Sequence, residues 1–157
     1  MTEALKIALR NWQRERFAPI PVEYWYGKAA LARWAADLSI VDSLSEEQQQ
    51  QLRTVSSWNL VALQDARRAA VSFLKDHAGL FDGQAAEALA RAAAAYQQET
   101  DLLAPALADD ELFSRSLSGW TPDVRERERE ILRRAAELEE LAVAALEEAL
   151  EQPPQSG

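Results

Sequence analysis

Eleven residues of this chain have the types and spacing to hold a ligand: Tyr24, Trp25, Tyr26, Lys28, Arg33, Trp34, Asp37, Trp58, Asn59, Asp65 and Arg67. Aromatic walls with a few convergent polar groups are the usual make-up of a small-molecule pocket. Tyr26, Asp37, Asp65 and Arg67 also supply a phenol, two carboxylates and a guanidinium, which would serve acid–base chemistry in a pocket inside a helical bundle. The alternative is a core of aromatic anchors, with Arg33 and Asp37 forming an ordinary i, i+4 pair. The triplet Tyr24-Trp25-Tyr26 resists that alternative. A helix cannot bury three consecutive rings on one face, so at least one belongs at a surface, a groove or a partner interface.

Other chemistries find no residues to carry them. The chain has no cysteine, which removes disulfides, thiolate metal sites and a cysteine nucleophile. His77 is the single histidine and no serine motif accompanies it; beside Asp76, just before Gly79, it reads as a helix-terminus residue favoured by the dipole. Carboxylate-bridged metals in helical bundles need two Glu-x-x-His motifs, which one histidine cannot supply. Asp109-Asp110 lacks a third aspartate at helical spacing. No catalytic residue, metal ligand or cofactor is assigned. Arg125, Arg127 and Arg129 alternate with Glu126, Glu128 and Glu130, and the pairs Glu126/Arg129 and Glu130/Arg134 read as a solvated, ion-paired face rather than a basic patch.

A chain of 157 residues, 48% apolar and 27% charged, is one globular domain by size and composition. Net charge is −9 and uneven: residues 1–34 carry six Lys/Arg against three Asp/Glu, a balance of +3, which leaves −12 for the rest. The acidity argues against nucleic-acid binding, which needs a basic face. The asymmetry suits a basic first helix lying beside an acidic last one. The first residues mix Glu3, Lys6, Arg10 and Arg14 into their apolar positions, so no secretory h-region is present. No apolar run approaches the roughly 18 residues of a membrane span. Absence of cysteine fits a reducing compartment. The expectation is a cytoplasmic protein with no membrane partner.

The elements that must position these residues read as helices. Thr2 opens one to about Phe17, with Leu5, Ala8, Leu9 and Trp12 on one face, ended by Pro19 and Pro21. A second runs from Glu23 or Gly27 to Leu38, striped by Leu31, Trp34, Ala35 and Leu38. Ser45-Glu46-Glu47-Gln48 is a capping box opening a third helix to about His77. Its Leu52, Val55, Asn59, Ala62, Ala66, Ala69 and Phe73 step 3-4-3-4-3-4, the spacing of an inward heptad seam. In that seam Asn59 would select bundle register or point into a polar cavity, and Ser56-Ser57 is a place to bend. A fourth helix spans Gln84 to Leu103 and ends at Pro105, with a short helix over Asp109–Leu117. Thr121-Pro122 starts the last helix, which runs to Leu150 and stops at Pro153-Pro154. No segment alternates with period 2. The expected fold is all-α: an antiparallel helical bundle of four long helices plus one or two short ones, one domain over 1–152 with a disordered tail at 153–157.

The run Tyr26 to Leu38, with Ala66-Arg67-Arg68-Ala69-Ala70-Val71-Ser72-Phe73-Leu74 and Trp120-Thr121, resembles the helical C-terminal region of bacterial butirosin-biosynthesis-H-like proteins. The resemblance spans about Trp12 to Leu150. That family carries acyl transfer on a cysteine-dependent N-terminal domain, which this chain lacks, so none of its catalytic residues transfers. The resemblance implies a bacterial helical accessory module acting alone or with a partner chain, with Tyr26, Trp34 and Asp37 as positions of interest. The expected function is a non-catalytic module binding a small molecule or a partner protein through its aromatic N-terminal region. The alternatives are an enzyme using the pocket residues above and a structural homodimer that hides the aromatic triplet.

Overall fold

The computed structural model describes residues 1–14, 16–17 and 24–151, and among these the chain is all-α. Its five α-helices are α1 (Thr2–Gln13), α2 (Gly27–Ser39), α3 (Glu46–His77), α4 (Gly83–Ala108) and α5 (Pro122–Glu151). Single 3-10 turns at Val41–Ser43 and Ala78–Leu80 lead into α3 and out of it. Arg16 and Phe17 pair antiparallel with Trp25 and Tyr24, a two-residue ladder too short for any alternating pattern. The expectations for Pro19, Pro21, Glu23, Pro153-Pro154 and the tail fall outside the described residues.

Local signals set the boundaries. Ser45 Oγ accepts from Gln48 N while Gln48 Oε1 accepts from Ser45 N, so the capping box is complete. Thr121 caps α5, its Oγ1 accepting from Val124 N ahead of the proline that opens the helix. Gly27 begins α2 with φ +52, and a Cβ there would lie 2.2 Å from the Trp12 carbonyl oxygen. Only glycine lets the end of α1 sit that close to the start of α2.

Three expectations about elements fail. α1 ends at Gln13, short of Phe17, because Arg14 is already extended at φ −76, ψ 121. α4 continues through Pro105 to Ala108; the proline removes one donor, and Asp109 N still bonds to the Pro105 carbonyl. Residues 109–117 are turns rather than a helix, because Asp109 Oδ1 takes the backbone N–H groups of Glu111 and Leu112. α3 is unbroken across Ser56-Ser57 over its full 32 residues, about 48 Å.

The interior consists of two apolar clusters. One gathers Leu5 and Leu9 of α1, Val71 and Leu74 of α3, α4 from Ala88 to Tyr96, and α5 from Ala142 to Ala149. The other gathers Leu31 and Leu38 of α2, Leu60 of α3, Leu103 and Ala106 of α4, Val124 and Leu132 of α5, and Leu112, Phe113 and Trp120 of the α4–α5 connection. α1 lies against α5, as the charge asymmetry suggests, and Gln13 donates to Glu147.

The largest correction concerns α3. Val55, Asn59, Ala62, Ala66 and Ala69 of the expected inward seam are exposed, and Leu52 and Phe73 are only half-buried. The residues that turn inward are Arg53, Ser56, Leu60, Gln64, Val71 and Leu74, with Arg67 half-buried among them. These also step by three and four, so α3 presents a mixed polar face to the interior and its apolar heptad to solvent.

Candidate functional site

The polar residues of α3 converge on carboxylates of α4 and α5 in the stretch between the two apolar clusters. On α3 this stretch lies between Leu60 and Val71, on α4 between Tyr96 and Leu103, and on α5 between Leu132 and Ala142. Arg67 Nε donates to Glu99 Oε2 at 3.1 Å, and its Nη2 forms an ion pair with Glu139 Oε1. Its guanidinium carbon lies 5.2 Å from the centre of the Tyr96 ring, a cation–π contact. Glu99 is 0% exposed and Glu139 1%. Glu99 Oε1 and Gln64 Nε2 have no hydrogen-bond partner, and Glu139 Oε1 meets Arg67 without accepting a directed N–H. Burial pushes the Glu99 carboxyl up to about 7, with Arg67 opposing, and also raises Tyr96.

A second polar node closes the α4–α5 connection. Arg53, fully buried, donates to Glu128, to the Glu111 carbonyl and to the Ser116 carbonyl at 3.2 Å, and stacks 4.8 Å from the Trp120 ring centre. Glu128 also accepts from Phe113 N at 2.7 Å and from Trp120 Nε1 at 2.9 Å. Phe113 is held at φ +49, a left-handed conformation strained for a residue of its size. Burial lowers the Arg53 guanidinium from its usual range while Glu128 counters it. Arg125 grips both oxygens of Asp42 at 2.7 Å and the Trp120 carbonyl at 2.8 Å. Arg125 and Glu128 are therefore interior, and only part of the alternating run is the solvated face expected of it.

Of the eleven residues singled out by sequence, the ten whose side chains are described do not meet at one place. Of Tyr24 only the backbone is described. Trp25 is 39% exposed, and Tyr26 lies under Arg14 at 5.5 Å. Lys28 pairs with Glu140 of α5, and Arg33 with Asp37 at 3.0 Å, the ordinary i, i+4 pair. Trp34 is half-buried, edge-on to Phe113 with centroids 5.6 Å apart, and donates to Ser56 Oγ at 2.9 Å. It is an anchor between α2 and α3. Trp58 is 56% exposed, with Arg115 over its ring at 5.7 Å. Asn59 and Asp65 are exposed; Asn59 fills no buried seam. Of the set, Arg67 alone reaches the buried carboxylates, while Trp58, Asn59 and Asp65 share the outer side of α3. An open depression of about 620 Å³ lined by Leu112, Asp123, Glu126, Arg127, Glu130 and Ile131 contains none of the eleven. His77 Nδ1 lies 2.8 Å from the Phe73 carbonyl in the last turn of α3, in keeping with its expected structural place.

Arg53, Gln64, Tyr96, Glu99, Glu128 and Glu139 were not legible as site residues. One signal was available: Arg53, Ser56, Leu60, Gln64, Arg67, Val71 and Leu74 keep helical spacing, and Glu128 and Glu139 stand three helical turns apart on one face of α5. Among the described residues no group of three or more His, Cys, Asp and Glu is arranged to hold a metal ion, and no helix is long and apolar enough to cross a membrane. Compared with known protein families, with curated proteins and with solved structures, the chain matches none of them.

Proposed function

We propose that this chain is a non-catalytic helical accessory module that binds a helix of a partner protein along the outer face of α3, centred on Trp58. One observation carries the reading: α3 turns Arg53, Gln64 and Arg67 inward and leaves a stripe of apolar side chains exposed. Val55, Trp58 and Val61 are 47%, 56% and 44% exposed, with Ala62, Ala66 and Ala69 continuing the stripe. A heptad of this kind is the recognition surface of helix-on-helix pairing, and Asn59 occupies a seam position where an amide sets register. The non-catalytic part is supported by the placement of the acids. Glu99 and Glu139 are buried against Arg67, Asp37 is half-buried and paired with Arg33, and Asp65 is exposed.

The scaffold in this reading is an antiparallel arrangement of the long helices α3, α4 and α5, of 32, 26 and 30 residues, with the shorter α1 and α2 packed against α5. The reversed order of the two apolar clusters along α4, compared with α3 and α5, supports it. A bacterial cytoplasmic setting and the accessory role implied by the resemblance to butirosin-biosynthesis-H-like proteins belong to the same proposal. A second reading, a homodimer, is favoured by the size pattern of the stripe. In an antiparallel pair centred on Ala62, each Trp58 would cover the partner copy's alanines, an isologous contact.

Ala62→Glu tests both readings. It places a charge in the middle of the stripe and leaves the interior untouched. Association with a partner, or self-association in sedimentation velocity at tens of micromolar, should be lost at unchanged thermal midpoint. Association that survives Ala62→Glu would put the contact elsewhere.

A further inference from the structure

The buried layer carries a charge imbalance. One guanidinium, that of Arg67 on α3, meets two carboxylates, Glu99 on α4 and Glu139 on α5. Tyr96, one turn before Glu99, places its ring beside the same guanidinium, and Gln64, one turn before Arg67, is polar but uncharged. A one-to-one pair is neutral; the second carboxylate leaves an unmatched negative charge on two buried side chains. Such a group neutralises rather than stay ionised. Glu99 Oε1, which faces no donor, is where that charge would go unrelieved.

We propose that Glu99 holds a proton in the folded chain, and that losing it loosens α3 from α4 and α5, making the fold a proton-operated latch. Burial raises the Glu99 carboxyl from 4.5 to about 7, with Arg67 opposing. The folded chain therefore binds this proton more tightly than the unfolded chain does. The stabilisation is complete below the ordinary glutamate range and is lost as pH rises through about 7. Asp109 and Glu130 are shifted downward by hydrogen bonds and arginine neighbours, so they act on the acid side of this window. α3 also bears the outer stripe, so the latch would govern how firmly that face is presented. The latch needs no partner, and its failure and that of the docking reading are separable.

Urea unfolding of the full chain at about pH 5 and about pH 8 tests it, comparing wild type with Glu99→Gln, which mimics the protonated acid. The folding equilibrium constant of wild type relative to the variant should fall on the order of 10²-fold between the two conditions. A ratio constant within about twofold overturns the proposal. If the variant does not fold, titration of the Glu99 carboxyl carbon by NMR in wild type decides. A midpoint near 7 supports the latch, and one in or below the ordinary glutamate range overturns it.

Discussion

Glu128 shows how much one side chain can organise. It is fully buried and takes hydrogen bonds from the Arg53 guanidinium, the Phe113 amide and the Trp120 indole. Three separate segments thus close on one carboxylate, which also holds Phe113 in its left-handed conformation. Glu128→Ala should cost about 3–5 kcal/mol, because it leaves Arg53 charged, buried and unpaired. Urea unfolding followed by far-ultraviolet circular dichroism would measure this. The double variant Arg53→Met/Glu128→Leu should recover only part of the loss. It removes the orphaned charge, yet the Phe113 and Trp120 N–H groups stay buried without acceptors, at about 1–3 kcal/mol each. Full recovery would mean that the charge pair alone mattered. Gly27→Ala combines positive φ with a contact 2.2 Å from the Trp12 carbonyl oxygen, so thermal unfolding should show a loss of about 1–3 kcal/mol or more. An unchanged midpoint would mean that α1 is not seated on α2 in this way.

At the scale of elements, α3 separates what the sequence showed from what it hid. The capping box at Ser45 and the Thr121-Pro122 start are local signals, and each marks the boundary it was read to mark, while Gly27, one of two starts read for α2, is its first residue. In α4 the apolar residues at helical spacing do turn inward: Ala85, Leu89, Ala92, Tyr96 and Leu103 are all buried. α3 was misread because periodicity gives the spacing of a face, not its direction. The rule that the apolar side turns inward fails when arginines find buried carboxylates, and those lie far along the chain: Glu128 is 75 residues from Arg53 and Glu99 is 32 from Arg67. The described candidate residues scattered for the same reason, since sharing a stretch of sequence did not put α2 and outer α3 around one cavity. A paired substitution checks the orientation of α3. Leu60→Glu buries a lone charge and should abolish cooperative unfolding, whereas Ala62→Glu two residues later should stay within about 0.5 kcal/mol of wild type.

At the scale of the whole molecule, two apolar clusters are separated by a polar layer contributed by α3, α4 and α5. Replacing buried ion pairs with apolar groups of matching shape is often neutral or stabilising, so such a layer serves specificity or switching better than stability. With Arg53, Gln64 and Arg67 turned inward, α3 is left with an apolar stripe facing outward. On this account the interior latch and the exterior docking face are two sides of one helix. The most direct measurement compares tagged wild-type chain with Ala62→Glu, both recovered from the native cell under gentle cross-linking, with sedimentation of each purified protein alongside. The account predicts a stoichiometric partner, or a second copy, bound to wild type and absent from an equally stable Ala62→Glu. The same partner on both proteins, or wild type recovered alone and monomeric, would contradict it.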